Sequence, residues 1–206
     1  PIVQKGEAVL VGQRIAEADG FISANIVSSC SGKVKAVEKR RTISGAMAEC
    51  IVIENDGFFT KAESYDERLD VSGLESAEII DRVKKAGIVG LGGAGFPTHV
   101  KLMPKDPSAI KYVIANGAEC EPYITCNDQL MRTKAAEIVE GLEIILRIFP
   151  NAEGVIAIED NKPEAIAAMK KAAEGKEKLR VLPMYTKYPQ GGERSLIQVI
   201  AGVDFP

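Results

Sequence analysis

Residues 111–122 read K-Y-V-I-A-N-G-A-E-C-E-P, and this stretch decides the fold of the longer part of the chain. Tyr112-Val113-Ile114-Ala115 is a short apolar, partly β-branched run. It ends at the turn signal Asn116-Gly117, so it reads as a buried strand that empties into a polar loop. Downstream, Leu130, Ala135, Ile138, Val139, Leu142, Ile145, Leu146 and Phe149 recur at helical spacings, which predicts one helix over 128–148 stopped by Pro150. A strand at 154–158 follows, then a helix at 163–173 with Asn161 as its cap and Gly175 as its stop, then a strand at 179–183. This alternation predicts a mainly parallel α/β sheet, whose ligands sit at the carboxyl ends of the strands.

Chemistry is therefore sought first where strands run out. Asn116 offers a donor and an acceptor to the edge of a heterocycle, and Glu119 and Glu121, two apart, can face one side of an extended loop. Solvated loop acids fit the same residues. Cys120, between two carboxylates, is a poor nucleophile because its neighbours disfavour the thiolate. A second junction is Y-P-Q-G-G-E-R-S over 188–195, where Tyr188, Gly191 and Glu193 stand at the start of a helix. Helix N-termini collect anions and polar ligand groups, though Glu193 is equally the first-turn acid that a helix dipole favours.

Upstream lies G-L-G-G-A-G-F-P over 90–97, with four glycines in six positions. Such a segment leaves amides bare and lets an anionic or flat ligand approach; a purely structural glycine turn fits the spacing as well. As a dinucleotide fingerprint it is weak, because a helix rather than a full strand precedes it, and no G-K-S/T follows to make a phosphate loop. That preceding helix is predicted from a capping box at Ser72-Gly73-Leu74-Glu75 to about Ala86, with Gly87 as its stop. Pro97 is compatible with a new helical turn. His99 reads as a surface histidine, and Met103, Met131 and Met169 as packing residues.

The first part of the chain has a different rhythm. Apolar runs at 8–11, 22–27, 33–37 and 49–53 are separated by turn signals, which predicts a small all-β module over 1–57. Residues 58–74 read as a linker, and 75–206 as the α/β domain. With 206 residues and 46% apolar side chains the chain can build a real core. Its 26 basic and 29 acidic residues give a net charge of −3, without the basic stripe that nucleic acid binding needs. No run approaches the roughly 18 apolar residues of a membrane helix, so direct membrane insertion is not expected. Cys30, Cys50, Cys120 and Cys126 show no C-x-x-C spacing, so no metal or iron–sulfur site is expected. A start at Pro1 and an end at Asp204-Phe205-Pro206 read as a fragment of something longer.

The order K-G-E-x-V-x-x-G-Q, a turn, then S-S-C-S-G-K-V-K-A-V resembles biotinyl and lipoyl carrier domains, which places the module among barrel-sandwich hybrids. Where a carrier holds its modified Lys this chain has Gly20, so a swinging arm is not expected. Together, G-L-G-G-A-G-F-P-T-H-V-K, N-G-A-E-C-E-P and Y-P-Q-G-G-E-R-S-L, in this order, resemble one family. It is that of the flavin- and NADH-binding subunit of respiratory complex I and of the C subunit of the Rnf ion-translocating NADH:ferredoxin oxidoreductase. The N-terminal module looks like the Rnf branch.

The resemblance implies a Rossmann-like domain binding FMN and NADH, with no catalytic group beyond the flavin. It implies hydride transfer from NADH to FMN and single electrons to iron–sulfur clusters in a further C-terminal part. It assigns Gly90, Gly92, Gly93, Ala94, Gly95 and Lys101 to the flavin phosphate and ribityl chain. Phe96 goes to the nicotinamide dinucleotide, Asn116, Glu119 and Glu121 to the ring and NADH, and Tyr188, Gly191 and Glu193 to the opposite side. It further implies other subunits of a membrane electron transport complex as partners, and a peripheral place on the cytoplasmic side. Leu91 and Ala118 depart from the complex I pattern, which has Arg and Asp there. Two other readings compete: a soluble NADH-dependent flavin reductase serving a corrinoid or amino-acid reductase, and a flavin-free docking scaffold.

Overall fold

A computed structural model describes residues 1–91 and 95–203. The chain forms two compact units, one from Pro1 to Met103 and one from Pro104 onward.

The first unit opens with a barrel-sandwich hybrid of short antiparallel strands. They are β1 (Ala8–Val9), β2 (Arg14–Ala16), β3 (Ile26–Val27), β4 (Gly32–Arg41) and β5 (Met47–Asn55). One sheet has the order β1-β4-β5, and β2 pairs with β3 in a second. Val3, Val9, Ile15 and Val34 form the core between them, with Val37, Ile51 and Ile53 packed against it. The run predicted at 22–27 is strand only at its end. By contrast β4 and β5 run well past their apolar cores, because the turn at 42–46 closes them with Thr42 N donating to Ala46 O at 2.8 Å. Beyond the strands, Thr60 and Ala62 hydrogen-bond Val11 through their backbones, and Gly12 lies against the Tyr65 ring, so residues 60–65 run along the module.

Next come α1 (Ser76–Lys85) and the single turn α2 (Thr98–Lys101). The predicted capping box is displaced by three residues. Leu74 N bonds Val71 O, so Ser72 and Gly73 are the middle of a turn, and the box is formed by Glu75 and Glu78, with Glu75 N donating to Glu78 Oε2 at 2.9 Å. His99 is a second correction: it is 4% exposed, with no partner for Nδ1 among the described residues. Met103, expected to pack, is 44% exposed.

The second unit has a parallel sheet of order β6-β7-β8, formed by Tyr112–Asn116, Glu153–Glu159 and Leu179–Met184. The central strand supplies the driving force, with Val155, Ile156, Ala157 and Ile158 all at 0–1% exposure. Around the sheet lie α3 (Cys126–Thr133), α4 (Ala135–Leu146), α5 (Pro163–Ala172) and α6 (Glu193–Ala201). Leu196 and Ile200 of α6 pack with Ala157 and Met184, while Met131 and Met169 are buried as expected. The single helix predicted over 128–148 is two helices. Lys134 takes φ −129°, and Thr133 Oγ1 donates to Gln129 O at 2.7 Å, the back-bonding that bends helices. Lys162, not Asn161, is the cap residue of α5.

The β module carries two tests of this description, one of backbone and one of charge. Gly32 has φ +149° and a Cβ there would stand 2.1 Å from Glu54 O, whereas Gly45, at φ +82°, has open space. Gly32→Ala is expected to cost about 2–4 kcal/mol and Gly45→Ala about 1 kcal/mol in chemical denaturation. The second test concerns acid. Buried Ser31 donates its hydroxyl to Asp56 Oδ1 at 2.7 Å, and the Phe58 amide donates to the same oxygen at 2.9 Å. The Ser31 hydroxyl foremost, and the Phe58 amide after it, hold the Asp56 carboxyl below the usual aspartate range. The stability this confers is complete at neutral pH and is lost as pH falls from the usual aspartate value through the lowered one. Ser31→Ala should flatten that acid-side loss in melting temperature against pH.

Candidate functional site

In the second unit the carboxyl ends of all three strands are tied into one platform by side chains. Asn116, the last residue of β6, donates from Nδ2 to Gly191 O at 2.9 Å and accepts from Ala118 N at 3.2 Å. Gly191 N donates in turn to Cys120 Sγ at 3.4 Å. A Cβ on Gly191 would stand 3.0 Å from Ala118 O, tighter than ordinary contact, so glycine at that position eases the close approach of the two loops. Gly192 then caps α6, whose first turn carries exposed Glu193.

Glu119 does not face outward with Glu121. Its side chain is 1% exposed, and its carboxylate accepts from Asn127 N at 2.7 Å and Asp128 N at 3.0 Å, the second and third amides of α3. Lys162 Nζ stands 3.8 Å away. A buried carboxylate thus caps a helix from outside it, where the helix dipole and two bare amides favour negative charge. Behind it Glu159, fully buried at the end of β7, accepts the Glu119 amide on Oε2 at 3.1 Å and has no partner for Oε1 among the described residues. The alternation predicted for an extended loop fails here because the loop turns at once into α3. Glu121 and Tyr188 are exposed. Beside Asn116 a hollow of about 140 Å³ opens between Asn127, Leu130, Met131 and Ile138, too small for a flavin ring system.

In the first unit the described ends of the glycine-rich segment pair with each other. Gly90 N donates to Phe96 O and Thr98 N to Ile88 O, both at 3.0 Å, and Val89 bridges Pro97. Gly90 thus spends its amide inside the loop. Gly95 takes φ +65° with open space at its Cβ position. Lys101 places its ammonium 3.8 Å from where a Gly90 Cβ would stand and 5.9 Å from the Phe96 ring centre. Gly90, Phe96 and Lys101 are therefore together; Gly92, Gly93 and Ala94 lie outside the described residues. Leu91 is 94% exposed.

Buried Glu159 and Gln190, and half-buried Lys162, are not among the site residues expected from the sequence. Gln190, 1% exposed, reaches Met184 Sδ with Nε2 at 3.7 Å. The one available signal is an acid at the end of an otherwise wholly apolar run, I-A-I-E over 156–159. Among the described residues no three metal-ligating groups converge, and no helix is long and apolar enough to cross a membrane.

Glu119→Gln keeps the shape and removes the charge from the α3 cap. It should destabilise the second unit by about 1.5–3 kcal/mol, read as a lower melting temperature, with the tertiary signal lost before the helical one.

Residues 83–206 match the family model described as the Nuo51 FMN-binding domain, and residues 1–58 match the RnfC barrel sandwich hybrid domain. The C subunit of the Na(+)-translocating ferredoxin:NAD(+) oxidoreductase complex of Acetobacterium woodii is 44% identical over 206 residues, which is all of this chain and 46% of that protein. The C subunit of the ion-translocating oxidoreductase complex of Pseudomonas aeruginosa is 42% identical over 208 residues, 27% of its length. The chain thus spans less than half the length of these curated relatives. A crystal structure of an NAD+-reducing NiFe hydrogenase in the air-oxidised state is similar over 62% of this chain and 24% of that one, with 26% identity and a TM-score of 0.52. The chain belongs to the Nuo51 FMN-binding-domain family, in the branch whose members carry the RnfC barrel sandwich hybrid module and are C subunits of ion-translocating oxidoreductases.

Proposed function

We propose that this chain is the FMN- and NADH-binding part of an NADH-oxidising flavoprotein subunit in an ion-translocating electron transport complex. In this reading it sits peripherally on the cytoplasmic side of the membrane beside the other subunits, and iron–sulfur clusters are held by sequence outside these residues. The observation that carries the proposal is the strand-end platform, Asn116–Gly191–Cys120, standing at the carboxyl ends of a parallel sheet in a chain of an FMN-binding family. Ligands of open α/β sheets bind at that end.

The residues fit the group. Lys101 brings a cation against Gly90, where a phosphate needs one, and the absent Cβ at Gly90 keeps that approach open. Asn116 has spent one carboxamide hydrogen on Gly191 and keeps the second for a ring edge. Glu121, Tyr188 and Glu193 are exposed at the strand-end loops, where carboxylate and phenol oxygens can bind ribose hydroxyls and carboxamide of a nicotinamide dinucleotide. Gly92, Gly93, Ala94, Gly95 and Phe96 complete the proposed loop contacts. Glu119 contributes through the loop it anchors, since its own oxygens are spent on α3. FMN, when bound, supplies the conversion of a two-electron hydride donor into single electrons, and the protein supplies position and electrostatics.

Titration of FMN into the full-length protein, followed by anaerobic NADH, tests this. Lys101→Ala should weaken FMN binding about tenfold, and Lys101→Arg should recover part of the loss, because the interaction is a charge-assisted contact to phosphate. Stoichiometric binding with NADH-dependent bleaching is the expected result for the unaltered protein. Absence of any FMN binding would overturn the flavoprotein reading in favour of a docking scaffold.

A further inference from the structure

We infer that Asn25, which belongs to the β module, is a positioning residue for the glycine-rich loop, acting through the end of helix α1. The inference rests on the flavoprotein reading above for what the loop binds, and on geometry alone for the coupling.

Residues 17–25 connect the antiparallel strands β2 and β3 as a hairpin. Asn25 Oδ1 accepts from Ala18 N at 2.9 Å, which closes the hairpin, and Asn25 Nδ2 donates to Lys85 O at 3.1 Å, with Lys84 O at the edge of reach. Lys84 and Lys85 are the last two residues of α1, whose terminal carbonyls have no partner within the helix. The helix ends in a glycine stop: Gly87 N bonds Lys84 O at 3.0 Å, Ile88 N bonds Val83 O at 3.3 Å, and Gly87 takes φ +67°. That stop leaves Lys85 O to Asn25. The contact is close as well as polar, since a Cβ on Gly87 would stand 2.3 Å from Asn25 O.

Immediately after this stop the chain enters the loop. Ile88 O receives Thr98 N, Val89 bridges Pro97, and Gly90 N bonds Phe96 O, so the two arms of the glycine excursion close on residues directly following Gly87. The direction of those arms is set by the helix end from which they leave, and Asn25 holds that end. The hairpin therefore serves as a buttress.

The test uses the full-length protein with Asn25→Ala, Asn25→Asp and Gly87→Ala, and two readouts. Amide exchange at Gly90 and Thr98 without FMN reports the loop's closure, with Val34 and Gly12 amides as controls for the module. The FMN dissociation constant reports the ligand. Asn25→Asp keeps the acceptor for Ala18 but has no hydrogen for Lys85 O, and places a negative charge at a helix C-terminus. It should speed exchange at Gly90 and Thr98 about tenfold and weaken FMN about tenfold, with the controls unchanged. Asn25→Ala and Gly87→Ala should do the same, and their double variant should be no worse than either alone.

A merely structural role in the hairpin makes the opposite demand: Asn25→Asp then matches the unaltered protein in both readouts. That result would overturn the proposal. If Asn25→Ala melts the module, its controls will exchange and Asn25→Asp decides alone. If the unaltered protein binds no FMN, the flavoprotein reading falls, while exchange at Gly90 and Thr98 still decides the coupling.

Discussion

A buried carboxylate must be met by donors, and in this chain that requirement organises the strand-end loops of the α/β unit. Glu119 is turned away from water and meets two amides of α3, one sulfur hydrogen from Cys126 and the ammonium of Lys162. Satisfying that one charge fixes the start of α3, the loop after β6 and the turn before α5 relative to each other. The adjoining Glu159 adds the end of β7 through the Glu119 amide. The exposed groups, Asn116 and Glu121, are thereby held on a loop whose own backbone has little freedom left.

Close backbone approach is the second organising device, and it recurs in both units. Gly32 faces Glu54 O, Gly87 faces Asn25 O and Gly191 faces Ala118 O, at distances that no side chain tolerates or that leave it no slack. In each case the glycine lets one segment lie directly on another, and hydrogen bonds then hold it there. The positions differ in consequence. Gly32 keeps the long β4–β5 hairpin in register, Gly87 ends a helix against the β module, and Gly191 joins two strand-end loops into one platform.

The strands of the α/β unit are legible because buried parallel strands are short apolar runs, and I-A-I over 156–158 or Y-V-I-A over 112–115 can be little else. Helix α6 is legible from Gly192-Glu193, which marks a start by turn chemistry and charge. The α3–α4 pair reads as one continuous helix because its apolar spacing survives across Lys134, while the break itself is the non-helical backbone of Lys134, beside a side-chain bond from Thr133 to Gln129. The capping box slips because Ser72 and Glu75 satisfy the pattern, and only the turn at Val71–Leu74 shows that Ser72 is already used. Residue type alone puts His99 on the surface, yet the turn following Pro97 carries it inward.

The sequence by itself determined the element types, the two kinds of architecture and the family. All of these depend on local pattern: apolar period, turn residues and ordered motifs. What only the tertiary structure decided was the direction of particular side chains. Glu119 and Glu121 are equivalent two residues apart in sequence, but one is buried under a helix end and the other stands in water. Asn25 lies in a run that reads as strand until α1 arrives from sixty positions away to take its amide. Whether a polar group serves a ligand or the fold is set by which donors long-range packing brings to it, and that information is not carried by its neighbours in the chain.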